Sequence, residues 1–295
     1  MKVIDRRDFL AMVPAAVGSA ALAGAAARKP VVAGHPWSYA APLPKYDIYP
    51  ILDQIFGDFK RAGIEAIELM HNAFPHEDFV EKAGEASAKH KLPVIGASYG
   101  AAMWDRSQQS ATLENAEMVI EKLAKLGGRT FGTSVGDAGR KKTPAELDVQ
   151  AETIEKISAM GQKHKIVLNL HNHIYEVKDD EYDLKGTLAR FPGAKLGPDL
   201  DWLKGAGVDP AGFIRRYGKR IVYAHLRDRK ADGVWSEAMG EGAIDYAEIA
   251  RAFREVNFQG DVAIELAHPQ GFKPTRPLWE SFRISREYVR KTLGW

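Results

Sequence analysis

The chain has 295 residues, of which 45% are hydrophobic and 27% are charged. This length and composition allow one substantial hydrophobic core and argue against disorder. The formal net charge is only +2 and there is no long run of basic residues, so nothing indicates a nucleic acid as partner. The absence of cysteine excludes a disulfide framework and thiolate metal ligands.

The first 27 residues have the pattern of an export signal. Arg6 and Arg7, followed by Phe9 and Leu10, precede a weakly apolar stretch rich in Ala and Gly. This pattern resembles a twin-arginine signal peptide, which directs folded proteins across the bacterial inner membrane. The stretch is too poor in strongly apolar residues for a stable membrane anchor. We therefore expect a periplasmic protein whose mature domain comprises residues 28–295.

From Val31 onward, short apolar segments alternate with helical patterns. Apolar residues recur every three or four positions between the segments, and a final helix is predicted at residues 278–293. Gly63, Gly127 and Gly260 stand where helices should end before the second, fourth and eighth strands. The strands are predicted at residues 31–34, 66–70, 94–98, 130–135, 166–171, 196–201, 221–226 and 262–266.

Strand and helix alternation with short connections predicts parallel strands joined by right-handed crossovers. Eight such units favour a closed barrel, so the expected fold is a single (β/α)₈ TIM barrel. An open doubly wound sheet is the alternative. It receives no support from a dinucleotide-binding motif, because no Gly-x-Gly-x-x-Gly follows the first strand.

Ionisable residues gather at the C-terminal ends of the predicted strands, where TIM barrels hold their active sites. One histidine in such a place is more often structural than functional, but strands five to eight all end in a histidine or a carboxylate. This clustering indicates a shared site. Six of the nine histidines lie at strand ends: His35, His71, His171, His173, His225 and His268.

Asp199, His225 and Glu265 lie inside apolar runs of neighbouring strands. A buried carboxylate without a partner costs several kcal/mol, so these residues need a cation or firm hydrogen-bond partners. Imidazole and carboxylate ligands without sulfur suit Mn, Co, Fe or Zn, and Mg less well. The sequence therefore predicts a divalent metal site, with structural carboxylate-histidine pairing as the alternative.

The strand ends also resemble the successive motifs of the xylose isomerase-like sugar phosphate isomerase/epimerase superfamily. The resemblance implies a metal held by Asp199, His225 and Glu265, with His171 at a position where many relatives have Glu. His173 shares one face of the strand with His171 and is the alternative ligand. The motifs, which span nearly the whole mature chain, are His171-Asn172-His173-x-x-Glu176, Asp199-Leu200-Asp201-Trp202, His225-Leu226-Arg227-Asp228, Gly240-Glu241-Gly242 and Ile264-Glu265.

The resemblance implies metal-assisted proton abstraction beside the carbonyl of a sugar, with Glu265 as the base. Because His171 replaces one of two glutamates, the second proton carrier is sought among Glu176, His173, Glu68 and His71. The expected activity is isomerisation or epimerisation of an unphosphorylated sugar or related polyol. The candidate substrate contacts are Trp37, Glu68, His71, Trp104 and Arg227.

Three other functions compete with this hypothesis. Dehydration or β-elimination from a 3-keto sugar or glycoside needs the same first step. A non-catalytic periplasmic sugar-binding barrel is the second alternative, because His171 departs from the two-glutamate pattern. A metal-dependent endonuclease would need a basic groove for phosphates, which the low net charge disfavours. The sequence leaves the substrate, the metal and any homo-oligomer open.

Overall fold

A computed structural model describes residues 28–268 and 271–295. The predicted export signal, residues 1–27, lies outside the described residues. The strands are β1 Val32–His35, β2 Ala66–Met70, β3 Val94–Gly100, β4 Thr130–Ser134, β5 Val167–Leu170, β6 Lys195–Leu196, β7 Tyr223–Leu226 and β8 Asp261–Glu265. The helices are α1 Trp37–Ala40, α2 Leu52–Arg61, α3 Phe79–His90, α4 Gln109–Lys125, α5 Pro144–Lys163, α6 Ile174–Arg190, α7 Leu200–Gly205, α8 Pro210–Tyr217, α9 Tyr246–Glu255 and α10 Leu278–Leu293.

The eight strands form one parallel sheet in the order β6-β5-β4-β3-β2-β1-β8-β7. Two isolated parallel bridges, Leu196 with Ile221 and Asp199 with His225, join the remaining edges of β6 and β7. These bridges nearly close the sheet, and helices lie between successive strands. The prediction of a single (β/α)₈ TIM barrel is therefore confirmed.

Alternation along the strands sorts the side chains into two sets. Residues that point outward belong to the core beneath the helices, as do Val32, Ile67, Ala224 and Ile264. Residues that point inward near the base form a separate small cluster of Ala33, Ala66, Ile95, Tyr223 and Ala263. Two positions further along four of these strands, the buried inward residues are His35, Glu68, His225 and Glu265. Because side chains alternate along a strand, a layer of polar side chains lies above the apolar base of the barrel interior.

The prediction of a sixth strand at residues 196–201 is wrong at its C-terminal end. Strand β6 stops at Leu196, and Asp199 is the N-cap of α7, where its Oδ1 accepts the Trp202 amide at 2.9 Å. Pro198 has no amide to donate to a strand ladder, so a cap follows it naturally. Asp201 consequently lies in a helix.

Two of the three predicted glycine helix ends are confirmed. Gly63 and Gly127 have φ of +77° and +82° after α2 and α4, whereas the left-handed residue after α9 is Asn257, with φ of 52°. Gly260 has another reason to be glycine. A Cβ there would lie 2.2 Å from the carbonyl oxygen of Val222.

The loop between β7 and α9 is organised around the Asp228 carboxylate. It accepts backbone N–H groups at distances from 2.9 to 3.2 Å from Arg229, Gly240, Gly242 and Ile244. At Gly242 a Cβ would approach Asp228 Oδ1 to 2.2 Å, so a side chain does not fit there. The aspartate and glycines of two sequence motifs therefore fix one loop at the barrel mouth.

Replacing Asp228 by Ala is expected to lower the free energy of unfolding by about 2–4 kcal/mol, because several buried amides lose a charged acceptor. Urea denaturation measures the loss, and amide hydrogen exchange should rise across residues 228–245. Asp232→Ala is the control: its exposed carboxylate, in the same loop, accepts one amide. Equal stability of the two variants would contradict this role.

Across the described residues, the helices are too short or too polar to cross a bilayer.

Candidate functional site

Four of the predicted ligands meet at the barrel mouth. His171, Asp199, His225 and Glu265 each bring one potential ligand atom to within 4.8 Å of the others. They lie near or just after the C-terminal ends of strands β5, β6, β7 and β8, so four neighbouring strands contribute one residue each. The cluster contains His171 rather than His173, which the sequence left open as the alternative ligand.

Glu68 fixes the orientation of the His225 ring from the opposite side of the barrel. Its Oε2 lies 2.7 Å from His225 Nε2, and the carboxylate is fully buried. At Gly132 on β4, a Cβ would approach Glu68 Oε1 to 3.3 Å, so the missing side chain leaves room for this carboxylate. With Nε2 bound to Glu68, His225 presents Nδ1 to the centre.

Buried carboxylates at the centre favour positively charged neighbours. Burial disfavours the charged form of His225, but Glu68 and Glu265 together outweigh it and raise its pKa to about 10. Burial likewise opposes ionisation of Glu265, yet the positive charges of Arg227 and His225 hold its pKa well below its usual range. Burial, with help from His225, lowers the pKa of His171 and keeps that ring in the neutral form that binds metals.

Several buried nitrogen and oxygen atoms at the centre have no hydrogen-bond partner within the described residues. His225 Nδ1 and Glu265 Oε2 lie 2.9 Å apart without the alignment of a hydrogen bond. These two atoms and His171 Nδ1 are buried and have no hydrogen-bond partner within the described residues. Two imidazoles and two carboxylates form a set that suits Mn, Co, Fe or Zn. The residues therefore fit a divalent metal.

Arg227 neutralises two of the carboxylates. Its guanidinium contacts Asp199 Oδ2 through Nη2 and through Nε at 2.9 Å, and its Nη2 lies 3.4 Å from Glu265 Oε1. The side chain is buried, and its guanidinium carbon lies 5.0 Å from the centre of the Trp202 ring. The structure thus gives Arg227 a place behind the ligands, away from the cavity lining.

The neighbours of His171 in the sequence hold the mouth of the barrel together. Asn172 pairs with the backbone of Asp199: its Nδ2 donates to the carbonyl oxygen and its Oδ1 accepts the amide. Glu176 accepts the amides of His173 at 2.7 Å and Val135 at 3.4 Å. Asn172 therefore aligns two ligand-bearing segments, and Glu176 caps the first turn of α6.

Asp201 is fully buried and binds two side chains from the loop after β7. Arg229 binds both of its oxygens, with Nε at 2.5 Å and Nη2 at 2.7 Å, and Trp235 Nε1 donates to it at 2.8 Å. These contacts account for its charge without a metal.

A cavity of about 210 Å³ opens beside the centre, over strands β1 to β5. His171, His225 and Glu265 form one wall. Glu265 is the one acidic residue in the lining, and no Lys or Arg among the described residues contributes to it. The other polar lining residues are His35, His71, Asn72, Ser98, Ser134 and His173. The cavity is thus suited to a neutral polar molecule.

The cavity divides the remaining predicted residues into two groups. Trp37, His71 and His173 line it. Four others are absent from the lining: Glu68, Trp104, Glu176 and Arg227. Glu68 pairs with His225, and Arg227 pairs with Asp199. Glu176 caps α6, and Trp104 lies below the Arg140 guanidinium. Substrate contact or proton transfer by these four finds no support in their positions.

Sequence reasoning did not assign site roles to His35 and Ser98. His35 Nδ1 accepts the Trp37 amide at 3.3 Å, so the proton on Nε2 faces Ser98 Oγ at 2.8 Å. Burial lowers the pKa of His35, and the neutral ring lies 3.7 Å from Glu265 Oε1. Its place two positions after Ala33 on an inward face was the signal that could have identified it.

The rim of the cavity includes a loop with unusual backbone conformation. Lys45 and Tyr46 have φ of 54° and 56°, in the left-handed region that costs non-glycine residues about 1–2 kcal/mol each. Tyr46 is 46% exposed and still lines the cavity. No sequence pattern indicated it, because it lies in a loop.

Solved structures of sugar epimerases share this fold. A D-allulose 3-epimerase from Methylomonas sp. is 16% identical, with a TM-score of 0.74 over 91% of this chain and 100% of that chain. A D-psicose 3-epimerase from Clostridium cellulolyticum H10 is 13% identical, with a TM-score of 0.72 over 89% and 99%. The apo form of 3-keto-D-glucoside 4-epimerase from E. coli is 16% identical, with a TM-score of 0.68 over 89% and 100%.

A comparison with curated proteins found no match. The family model described as Xylose isomerase-like TIM barrel matches residues 56–291, which include the four converging residues. The chain therefore belongs to the xylose isomerase-like TIM barrel family.

Proposed function

We propose that the protein is a metal-dependent sugar isomerase or epimerase that acts on an unphosphorylated sugar or related polyol. The observation that carries this proposal is the convergence of His171, Asp199, His225 and Glu265 beside a cavity with a neutral polar lining. A phosphate would lack a cationic partner in that lining. The named activities of the three similar structures described above, two sugar 3-epimerases and a 3-keto-D-glucoside 4-epimerase, support the same class.

The reaction begins with transfer of a proton from the carbon beside the substrate carbonyl to Glu265. A divalent metal held by His171, Asp199, His225 and Glu265 would supply Lewis-acid stabilisation of the negative charge that develops on the substrate oxygens. The electrons of the broken C–H bond move towards the carbonyl oxygen. In epimerisation, a second acid donates a different proton to the opposite face of the same carbon, and Glu265 later releases the first proton to solvent; His173 and His71 line the cavity and are the candidates for this acid. In isomerisation, Glu265 returns its proton to the neighbouring carbon, and a proton passes from the hydroxyl to the former carbonyl oxygen.

A single experiment tests both the metal and the proton transfer. Keto sugars are incubated with the metal-loaded protein in deuterium oxide, and NMR identifies the carbon that exchanges its proton. We expect exchange at one carbon, loss of exchange after chelation, and recovery with Mn²⁺, Co²⁺ or Zn²⁺. Sugar binding without exchange, unaffected by chelator, would support a binding protein instead.

Elimination from a 3-keto sugar or glycoside is the second candidate. Glu265 is the one carboxylate among the described lining residues, while imidazoles occupy the wall beside it. One base paired with one imidazole acid suits loss of a hydroxyl or alkoxyl group after proton abstraction. The same NMR experiment would then show a new vinyl proton rather than an inverted carbon.

The proposed location is the periplasm, reached through a twin-arginine signal in residues 1–27. Arg6 and Arg7 beside Phe9 and Leu10 support it. In a bacterium with the twin-arginine translocase, immunoblots of cell fractions should find the shortened protein in the periplasm. The Arg6→Lys, Arg7→Lys double variant should stay in the cytoplasm at full length.

A further inference from the structure

Two aromatic rings form a surface at the open rim of the cavity. Trp37 follows β1 and Tyr46 lies in the next loop, and both contribute to the cavity lining. Their ring centres are 5.1 Å apart and their planes are tilted by 35°. We call these two rings the rim platform. Tyr46 is the most exposed large hydrophobic residue in the described part of the chain.

The rim platform is held in place in spite of this exposure. Asn72 Nδ2 donates to the Lys45 carbonyl oxygen at 3.0 Å, which attaches the loop to the end of β2. On the other side, Asp47 Oδ2 pairs with His76 Nε2 at 2.7 Å and Asp47 Oδ1 accepts the Tyr49 amide at 3.0 Å. These tethers maintain the left-handed backbone of Lys45 and Tyr46. Strain of this kind persists where surrounding contacts enforce it and is common in ligand-binding segments.

The size of the cavity limits what it encloses. Its volume of about 210 Å³ lies below the roughly 300–1,000 Å³ typical of pockets that enclose a drug-sized ligand. It can receive one small sugar ring beside Glu265. A second ring attached to the first would extend over the rim, where Tyr46 presents an exposed aromatic ring. The flat C–H face of a sugar ring packs well against such a surface.

We propose that the rim platform binds the second ring of a disaccharide whose first ring occupies the cavity. This inference rests on the proposed function and narrows it, because free monosaccharides would leave the platform empty. Tyr46 is then a residue that determines specificity for glycosidically linked sugars and takes no part in the chemistry at Glu265. Trp37 contributes the neighbouring wall.

Binding of unreacted sugars tests the inference without requiring turnover. Calorimetry with the metal-loaded protein compares methyl β-D-glucopyranoside, cellobiose and maltose. We expect at least one disaccharide to bind about 3- to 10-fold more tightly than the methyl glycoside. Tyr46→Ala should lower the disaccharide affinity and remove that advantage over the methyl glycoside, whereas Tyr46→Phe should retain it. Tyr182→Ala, a matched change at a tyrosine outside the cavity lining, should leave all three affinities unchanged.

Each other outcome has a definite meaning. Disaccharides that bind no more tightly than the methyl glycoside would overturn the inference and leave the proposed function standing. An advantage that survives in Tyr46→Ala would also overturn it. If none of the three sugars binds, the inference fails, whereas the proposed function is decided by proton exchange in keto sugars.

Discussion

Replacing Glu265 by Gln is expected to reduce proton exchange in the substrate by at least about 1,000-fold, because the variant loses its base and one charged ligand. The amide has nearly the shape of the carboxylate, so circular dichroism should show an intact fold. Exchange rates in deuterium oxide, measured at saturating metal, give the effect. Metal content measured on the same sample shows how much of the loss comes from weaker metal binding.

The control for this variant is Glu117→Gln, the same change on the exposed face of α4. It should keep the wild-type exchange rate. A fully active Glu265→Gln enzyme would remove the proposed mechanism, since Glu265 is the one acidic residue in the described cavity lining.

Replacing Glu68 by Gln is expected to weaken metal binding by about 10- to 100-fold, although Glu68 does not reach the four-residue centre. The carboxylate accepts the Nε2 proton of His225 at 2.7 Å, which orients the ring and makes Nδ1 a better donor. A neutral amide holds the ring less firmly and withdraws this electrostatic support. Titration of chelator-treated protein with Mn²⁺ or Zn²⁺ measures the affinity directly.

Glu81→Gln, on the exposed face of α3, is the matched control and should bind metal as the wild type does. Unchanged metal affinity in Glu68→Gln would show that the pairing of Glu68 with His225 stabilises the fold and does not contribute to metal binding. Absence of binding in the wild type would instead contradict the metal centre itself. The two results are therefore distinguishable.

The barrel was predictable because its signals are local and repeated. Residues 278–293 carry an amphipathic pattern over their full length, and the predicted bounds of this helix agree with α10. The sixth strand was predicted too long because an apolar run does not reveal where pairing ends. There, Pro198 and the capping contact from Asp199 to Trp202 decided the structure. Gly260 shows a related limit, since the need for glycine comes from Val222, 38 positions earlier in the chain.

The convergence of the four candidate ligands was predictable for a similar reason. Parallel strands end at one mouth, so a residue near the end of each strand meets the others. The roles of residues outside that set could not be predicted from the sequence. In the sequence, Glu68 and Arg227 look like the four candidate ligands, because they also lie on or just after a strand. Only the three-dimensional contacts show that Glu68 pairs with His225 and that Arg227 pairs with Asp199. Glu176 was a catalytic candidate because of its place in the His171-Asn172-His173-x-x-Glu176 motif, but its oxygens accept backbone amides.

The short β6 makes the join between β6 and β7 the least hydrogen-bonded part of the barrel wall. Two single bridges connect these strands, and one of them pairs Asp199 with His225. An ion bound by both side chains would connect β6 to β7 where the two strands share few hydrogen bonds. The free energy of unfolding would then increase with metal concentration.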